Sequence, residues 1–126
     1  EEGGLNSGFM IAQVTAAALV AESRAISHPA SVDSIPTSAN KEDHVSMGPT
    51  AAWKLERISR NLQSVLAIEA LCAAQAVDLR RPLKTSEGLE RIHARIREVV
   101  PVMTEDRFLH DDLLAMIRIL ESSPSP

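Results

Sequence analysis

No tyrosine occurs among the 126 residues, and other aromatics are scarce: two phenylalanines and one tryptophan. A core without aromatics has to be filled by Ala, Leu, Ile and Val, a composition that suits closely packed helices. Any acid–base mechanism that depends on tyrosine is excluded for this chain acting alone. A single cysteine excludes an internal disulfide and fits a reducing, cytoplasmic compartment. That residue, Cys72, lies inside an apolar run and reads as a small buried hydrophobe. Glycine-rich phosphate loops are missing, since Gly3-Gly4 and Gly8 match no phosphate motif. There is no basic excess either: 13 basic against 17 acidic side chains leave a net charge of −4. The deficit sits in the first fifty residues, where only Arg24 and Lys41 are basic, and a nucleic-acid footprint is thereby excluded. The start, Glu1-Glu2-Gly3-Gly4, has no methionine and no basic n-region, so nothing there resembles a signal peptide. The stretch Phe9 to Ala21, interrupted by Gln13 and Thr15, falls short of a membrane span and reads as a buried helix.

What the sequence does hold is helix. β-Branched residues are scattered, no stretch alternates with period two, and the class is all-α. The first helix is expected from Ser7 to Ser27, capped by Asn6 or Ser7 and ended by His28-Pro29, within a unit spanning 1–27. Alanines 12, 16, 17, 18, 21 and 25 cover nearly all its faces, so it should be buried on every side. A chain this short cannot supply all those walls, which implies neighbours in another chain or a piece of a longer protein. Residues 28–48 form a long polar connection, the kind that is usually functional when it is ordered. Pro49 opens a long helix over 49–80, about thirty residues and on the order of 45 Å, stopped by Pro82. Positions 51, 55, 58, 62, 65, 69, 72, 76 and 79 make a heptad stripe, with Lys54, Glu56, Arg57, Arg60 and Asn61 on the other face. The second half, apolar almost all round, should be the more deeply buried. Glu69 interrupts the stripe and is expected to be a buried carboxylate satisfied between helices or subunits.

Two shorter helices should fill 81–126. In one, Leu89, Ile92, Ile96 and Val99/Val100 recur at helical spacing, His93 stands at the surface and Pro101 ends the run. The other, from Asp111 to Glu121, should bury Leu113, Leu114, Ile117 and Leu120, with Asp111 and Asp112 complementing its dipole. Such open apolar faces predict that the chain self-associates.

Reactive side chains concentrate in one place, Ser38 to Gly48. Asn40, Lys41, Glu42, Asp43 and His44 sit just before the start of the long helix, where an anion is favoured. Glu42, Asp43 and His44 are adjacent and do not converge easily on one metal ion, and no second ligand cluster has zinc spacing. No nucleophile-elbow pattern supports a serine triad.

The string SGFMIAQVTAAALVAESRAISHPASVDSIPTSANKEDHVSMGP, Ser7 to Pro49, closely resembles the C-terminal half of the histidine ammonia-lyases, within the aromatic amino acid ammonia-lyase family. The run LAIEALCAAQAVDLR, Leu66 to Arg80, and the segment from Leu83 onward are similar to the same family. This resemblance implies part of a larger ammonia-lyase fold, with the first helix and the long helix over 49–80 as central helices of a bundle shared in a homotetramer. It implies elimination of ammonia from L-histidine to give trans-urocanate. The electrophile would be a 4-methylidene-imidazol-5-one formed from an internal Ala-Ser-Gly upstream. Glu42 matches the family's active-site glutamate near the substrate imidazole, where it would bind the ring N–H or accept a proton. Lys41, where the family usually has glutamine, becomes a substrate contact able to pair with Glu42. Asn40, Asp43 and His44 would hold the loop. Phenylalanine and tyrosine lyases generally lack a glutamate here, so Glu42 tilts the expectation toward histidine. This chain contains no Ala-Ser-Gly, only Asn6-Ser7-Gly8, and is expected to be inactive alone. The competing expectations are a helical association module without chemistry, or a sibling phenylalanine/tyrosine lyase or aminomutase.

Overall fold

The computed structural model describes residues 5–32 and 34–122. Four helices follow one another: α1 (Met10–Ile26), α2 (Gly48–Leu79), α3 (Glu87–Val99) and α4 (His110–Ser122). No strand forms among the described residues; one isolated bridge joins Thr37 to Glu42. The all-α expectation holds, and Pro49 stands at the first turn of α2 as its missing N–H allows.

α2 is the rod on which the rest assembles, 32 residues and about 48 Å long. α1 runs antiparallel beside it, from Phe9 against the core of the second half to Glu22, which meets Arg57 and Asn61 in the first. α3 and α4 close against its second half, where Ala67, Leu71, Ala74, Ile96, Val100 and Met116 form the core. Every buried residue of α2 lies at or beyond Asn61, so the second half is indeed the more deeply buried. α2 is also long and apolar enough to cross a membrane by length and composition, a test the shorter stretch at Phe9 to Ala21 did not meet.

Several expectations are corrected. The α1 N-cap is Phe9, with no side-chain cap; instead the Asp106 carboxylate accepts the N–H groups of Ser7 and Gly8, at 2.6 and 2.9 Å. Asn6 Oδ1 accepts the Asp106 N–H, so this helix start is tied down from a residue a hundred positions away. Within this chain only Ala12 of α1 is buried, and Ala17, Ala18, Ala21 and Ala25 remain uncovered, in keeping with a helix whose other walls this chain does not supply. Asn61, expected on the polar outer face, is 5% exposed and donates to Glu22 Oε2 and Ser23 Oγ. The first half of α2 thus turns its polar face, not its heptad stripe, toward α1.

Glu69 is exposed, between the open Leu62 and Ala76 of the stripe, so among the described residues no helix satisfies its carboxylate as a buried group. Cys72, on the same stripe, is half-buried, and desolvation pushes its thiol pKa up. In α3 only Ile96 is buried and Val100 follows it as the cap, while Leu89, Ile92 and Val99 stay more than half exposed. In α4 the deepest side chain is Met116, with Leu113 and Ile117 partly buried; Leu114 and Leu120 lie outward. Asp112 is engaged by Arg107, whose Nε donates to Oδ2 at 2.8 Å.

His93 is not at the surface. Its side chain is 13% exposed and its Nε2 lies 2.9 Å from Asp78 Oδ1, while Arg97 Nε donates to the other Asp78 oxygen at 2.8 Å. Arg81 sits beside this group and forms a two-bond fork with Glu90. The fork, with the Thr85 N–H, holds the Glu90 carboxyl far below its usual 4.5, at about 2.

Candidate functional site

The connection from α1 to α2 is ordered by two short rungs. At its base Ser34 Oγ donates to the Asp43 carbonyl at 2.9 Å and accepts the Val45 N–H at 2.6 Å. Near its tip Thr37 and Glu42 exchange backbone hydrogen bonds, Thr37 N–H to Glu42 O at 2.8 Å and Glu42 N–H to Thr37 O at 3.3 Å. Between them Ser38, Ala39 and Asn40 all take left-handed conformations, with φ of 53°, 55° and 66°. Asparagine tolerates that region; serine and alanine are held there against a cost of about 1 kcal/mol each. The Lys41 N–H closes the turn on the Ser38 carbonyl at 3.2 Å. A fourth left-handed residue, Met47 at φ 51°, swings the chain into α2. Lys54 of α2 donates to the His28 carbonyl, fixing the other end of the connection.

This scaffold gathers Asn40, Lys41, Glu42, Asp43 and His44 on one exposed loop ahead of α2. The Glu42 carboxylate takes its hydrogen bond from Thr37, whose Oγ1 donates to Oε2 at 3.2 Å, rather than from Lys41. Asp43 joins the loop through its carbonyl. Ser34 and Thr37 are the residues that sequence reasoning passed over. Their signal was present, since hydroxyl side chains in a proline-flanked polar segment bond nearby backbone, but nothing local says which groups they reach. No three His, Cys, Asp or Glu side chains gather as a metal site among the described residues.

A cleft of about 460 Å³ opens elsewhere, between the start of α1 and residues 106–113, lined by Ile11, Thr15, Phe108 and His110 among others. It includes none of the loop residues. The concentration of chemistry and this cleft are therefore separate in this chain, and a carboxylate on an exposed loop needs other walls to become a pocket.

A histidine ammonia-lyase from Koribacter versatilis is 60% identical over 119 residues, covering 94% of this chain and 23% of that protein. The crystal structure of a histidine ammonia-lyase from Trypanosoma cruzi superposes with a TM-score of 0.91 at 49% identity, over 97% of this chain and 24% of the other. A tyrosine aminomutase from Streptomyces globisporus is similar at a TM-score of 0.88 and 39% identity, over 95% of this chain and 23% of the other. The chain thus spans about a quarter of the length of these relatives, and its helices align to part of a larger ammonia-lyase fold. The sequence model of the family described as aromatic amino acid lyase matches residues 1–98, and the chain belongs to that family.

Proposed function

We propose that this chain is the C-terminal part of a histidine ammonia-lyase, which converts L-histidine to trans-urocanate and ammonia. The observation that carries the reading is Glu42, an exposed carboxylate on a braced loop with Oε2 engaged by Thr37. A carboxylate so held can accept the ring N–H of an imidazole and fix its tautomer, or take a proton from it. A phenyl ring offers no donor to match, which favours histidine over phenylalanine, whereas a phenol O–H could also meet the carboxylate and leaves tyrosine to the substrate test below. Lys41 flanks Glu42 on the same exposed turn and would supply a polar contact to the substrate. Asn40, Asp43 and His44 complete the loop around it.

The electrophilic 4-methylidene-imidazol-5-one supplies the activation of the amino group when present. Because this chain has no Ala-Ser-Gly, its residues do not form that group. What they contribute is the Glu42 carboxylate and the helices beneath it. The open heptad face of α2 and the uncovered alanines of α1 support burial against other subunits, and we assign the full-length enzyme a homotetrameric, cytoplasmic form. The chain alone is then inactive: an ultraviolet assay should detect no urocanate, and product above blank contradicts this.

The discriminating experiment is Glu42→Ala in the full-length enzyme. Turnover of histidine should fall at least a hundredfold, within the usual range for a positioned acid–base group, with the sedimentation profile unchanged. Unchanged turnover would favour the association module without chemistry. The similarity to a tyrosine aminomutase supports a second reading, a sibling lyase or aminomutase, and turnover of tyrosine or phenylalanine in preference to histidine would establish it.

A further inference from the structure

Glu42 is an exposed side chain on a loop, and an unheld glutamate samples several rotamers. Thr37 touches it in two independent ways. The backbones of the two residues exchange hydrogen bonds as an isolated antiparallel bridge, which fixes where the Glu42 Cα sits. The Thr37 hydroxyl then donates to Glu42 Oε2 at 3.2 Å, which fixes where the carboxylate points. The turn that brings them together is left-handed at Ser38, Ala39 and Asn40, a conformation that persists only where its ends are clamped. The clamp below it is Ser34, bonded to Asp43 and Val45 on either side of His44.

We propose that Thr37 is the positioning residue for the Glu42 carboxylate, acting through its hydroxyl. With Oε2 engaged by Thr37, Oε1 is the oxygen offered outward to a donor such as an imidazole N–H. This rests on the reading that Glu42 meets the substrate ring, and the test separates the two.

The experiment is a double-mutant cycle in the full-length enzyme. Thr37→Val keeps the β-branched shape and both backbone bonds of the bridge while removing only the donor. It should lower kcat/KM for histidine about tenfold, as expected for a hydrogen bond to a charged group. Thr37→Ser, which retains the hydroxyl, should stay within about threefold of the parent. In a Glu42→Ala background the Thr37→Val change should have no further effect, because its acceptor is gone.

An equal loss in both backgrounds overturns the proposal, since a merely structural threonine would cost the same with or without Glu42. So does Thr37→Val within twofold of the parent while Glu42→Ala is severely impaired, an outcome that leaves the Glu42 reading standing. If Glu42→Ala is itself fully active, the function proposed above fails and the positioning role with it. Should Thr37→Val not fold, Thr37→Ser against Thr37→Ala carries the same comparison.

Discussion

Two faces of α2 are written in nearly the same residues and meet opposite fates. One presents Ala67, Ile68, Leu71 and Ala74, all 5% exposed or less. The other presents Leu55, Leu62, Ala76 and Leu79, which lie open, Leu62 at 56% and Leu79 at 70%. Hydropathy cannot tell them apart, because both are surfaces that water disfavours. The difference lies in what is available to cover them. The start of α1 with α3 and α4 packs over the first, whereas among the described residues the second is left largely open, bordered only near Leu55 by the end of α1. An amphipathic stripe therefore announces that a neighbour is needed without saying which neighbour. The heptad that is apolar but for Glu69, the more conspicuous signal in the sequence, marks the face left open. The intramolecular contact uses a second heptad-spaced set, Asn61, Ile68 and Gln75 with Ala67 and Ala74, whose polar members Asn61 and Gln75 mask it.

The sharpest way to test that contrast is Leu71→Ala. Leu71 is 1% exposed at the centre of the core, and truncation should cost about 3 kcal/mol through lost transfer energy and the cavity left behind. Urea denaturation would measure it, and a loss under about 1 kcal/mol would mean that the covered face is not a packed core. Next in size is Gln75→Ala. Gln75 closes both ends of its amide on Met103, donating to the carbonyl at 2.9 Å and accepting the N–H at 3.0 Å. Removing it orphans a partly buried backbone pair and should cost about 2 kcal/mol in the same assay.

The third prediction concerns the covered end of α2 and pH. The Glu90 carboxyl is depressed to about 2 by the Arg81 fork, so its contribution is present above the unfolded value of 4.5 and is lost as pH falls toward 2. Stability should decline across that window, and Glu90→Gln should flatten the decline; an identical acid limb in the variant would assign it to other carboxyls. The smallest effect belongs to the open face. Leu62→Ala should change the unfolding free energy of the chain by less than about 0.5 kcal/mol. It should instead weaken self-association in sedimentation, and a large stability loss at high dilution would show that the face is covered within one molecule.

Helix positions were legible because their causes are local. Pro49 starts α2, Pro82 and Pro101 follow the ends of α2 and α3, and the apolar spacing persists between them. The block around Glu42 was legible as a concentration of polar side chains in an otherwise apolar chain. Its geometry was not: three consecutive left-handed residues, one of them an alanine, carry no sequence signature, since alanine is among the residues least suited to that region. The support given by Ser34 and Thr37 was equally hidden, because a hydroxyl bonds whatever the turn brings within reach. His93 was misplaced for a related reason. Flanking arginines suggest a solvated surface, yet Arg97 and His93 both turn inward to share Asp78, fifteen or more residues earlier in the chain.

By itself the sequence determined that this chain is helical, where its helices stop, and that its apolar surface exceeds what it can bury, because backbone sterics and side-chain periodicity act over a few residues. Only the tertiary structure decided which side of α2 is dry, which acidic group clasps His93, and which hydroxyl meets Glu42. Those outcomes depend on chain segments far apart in sequence arriving at the same place, and no local preference encodes an arrival.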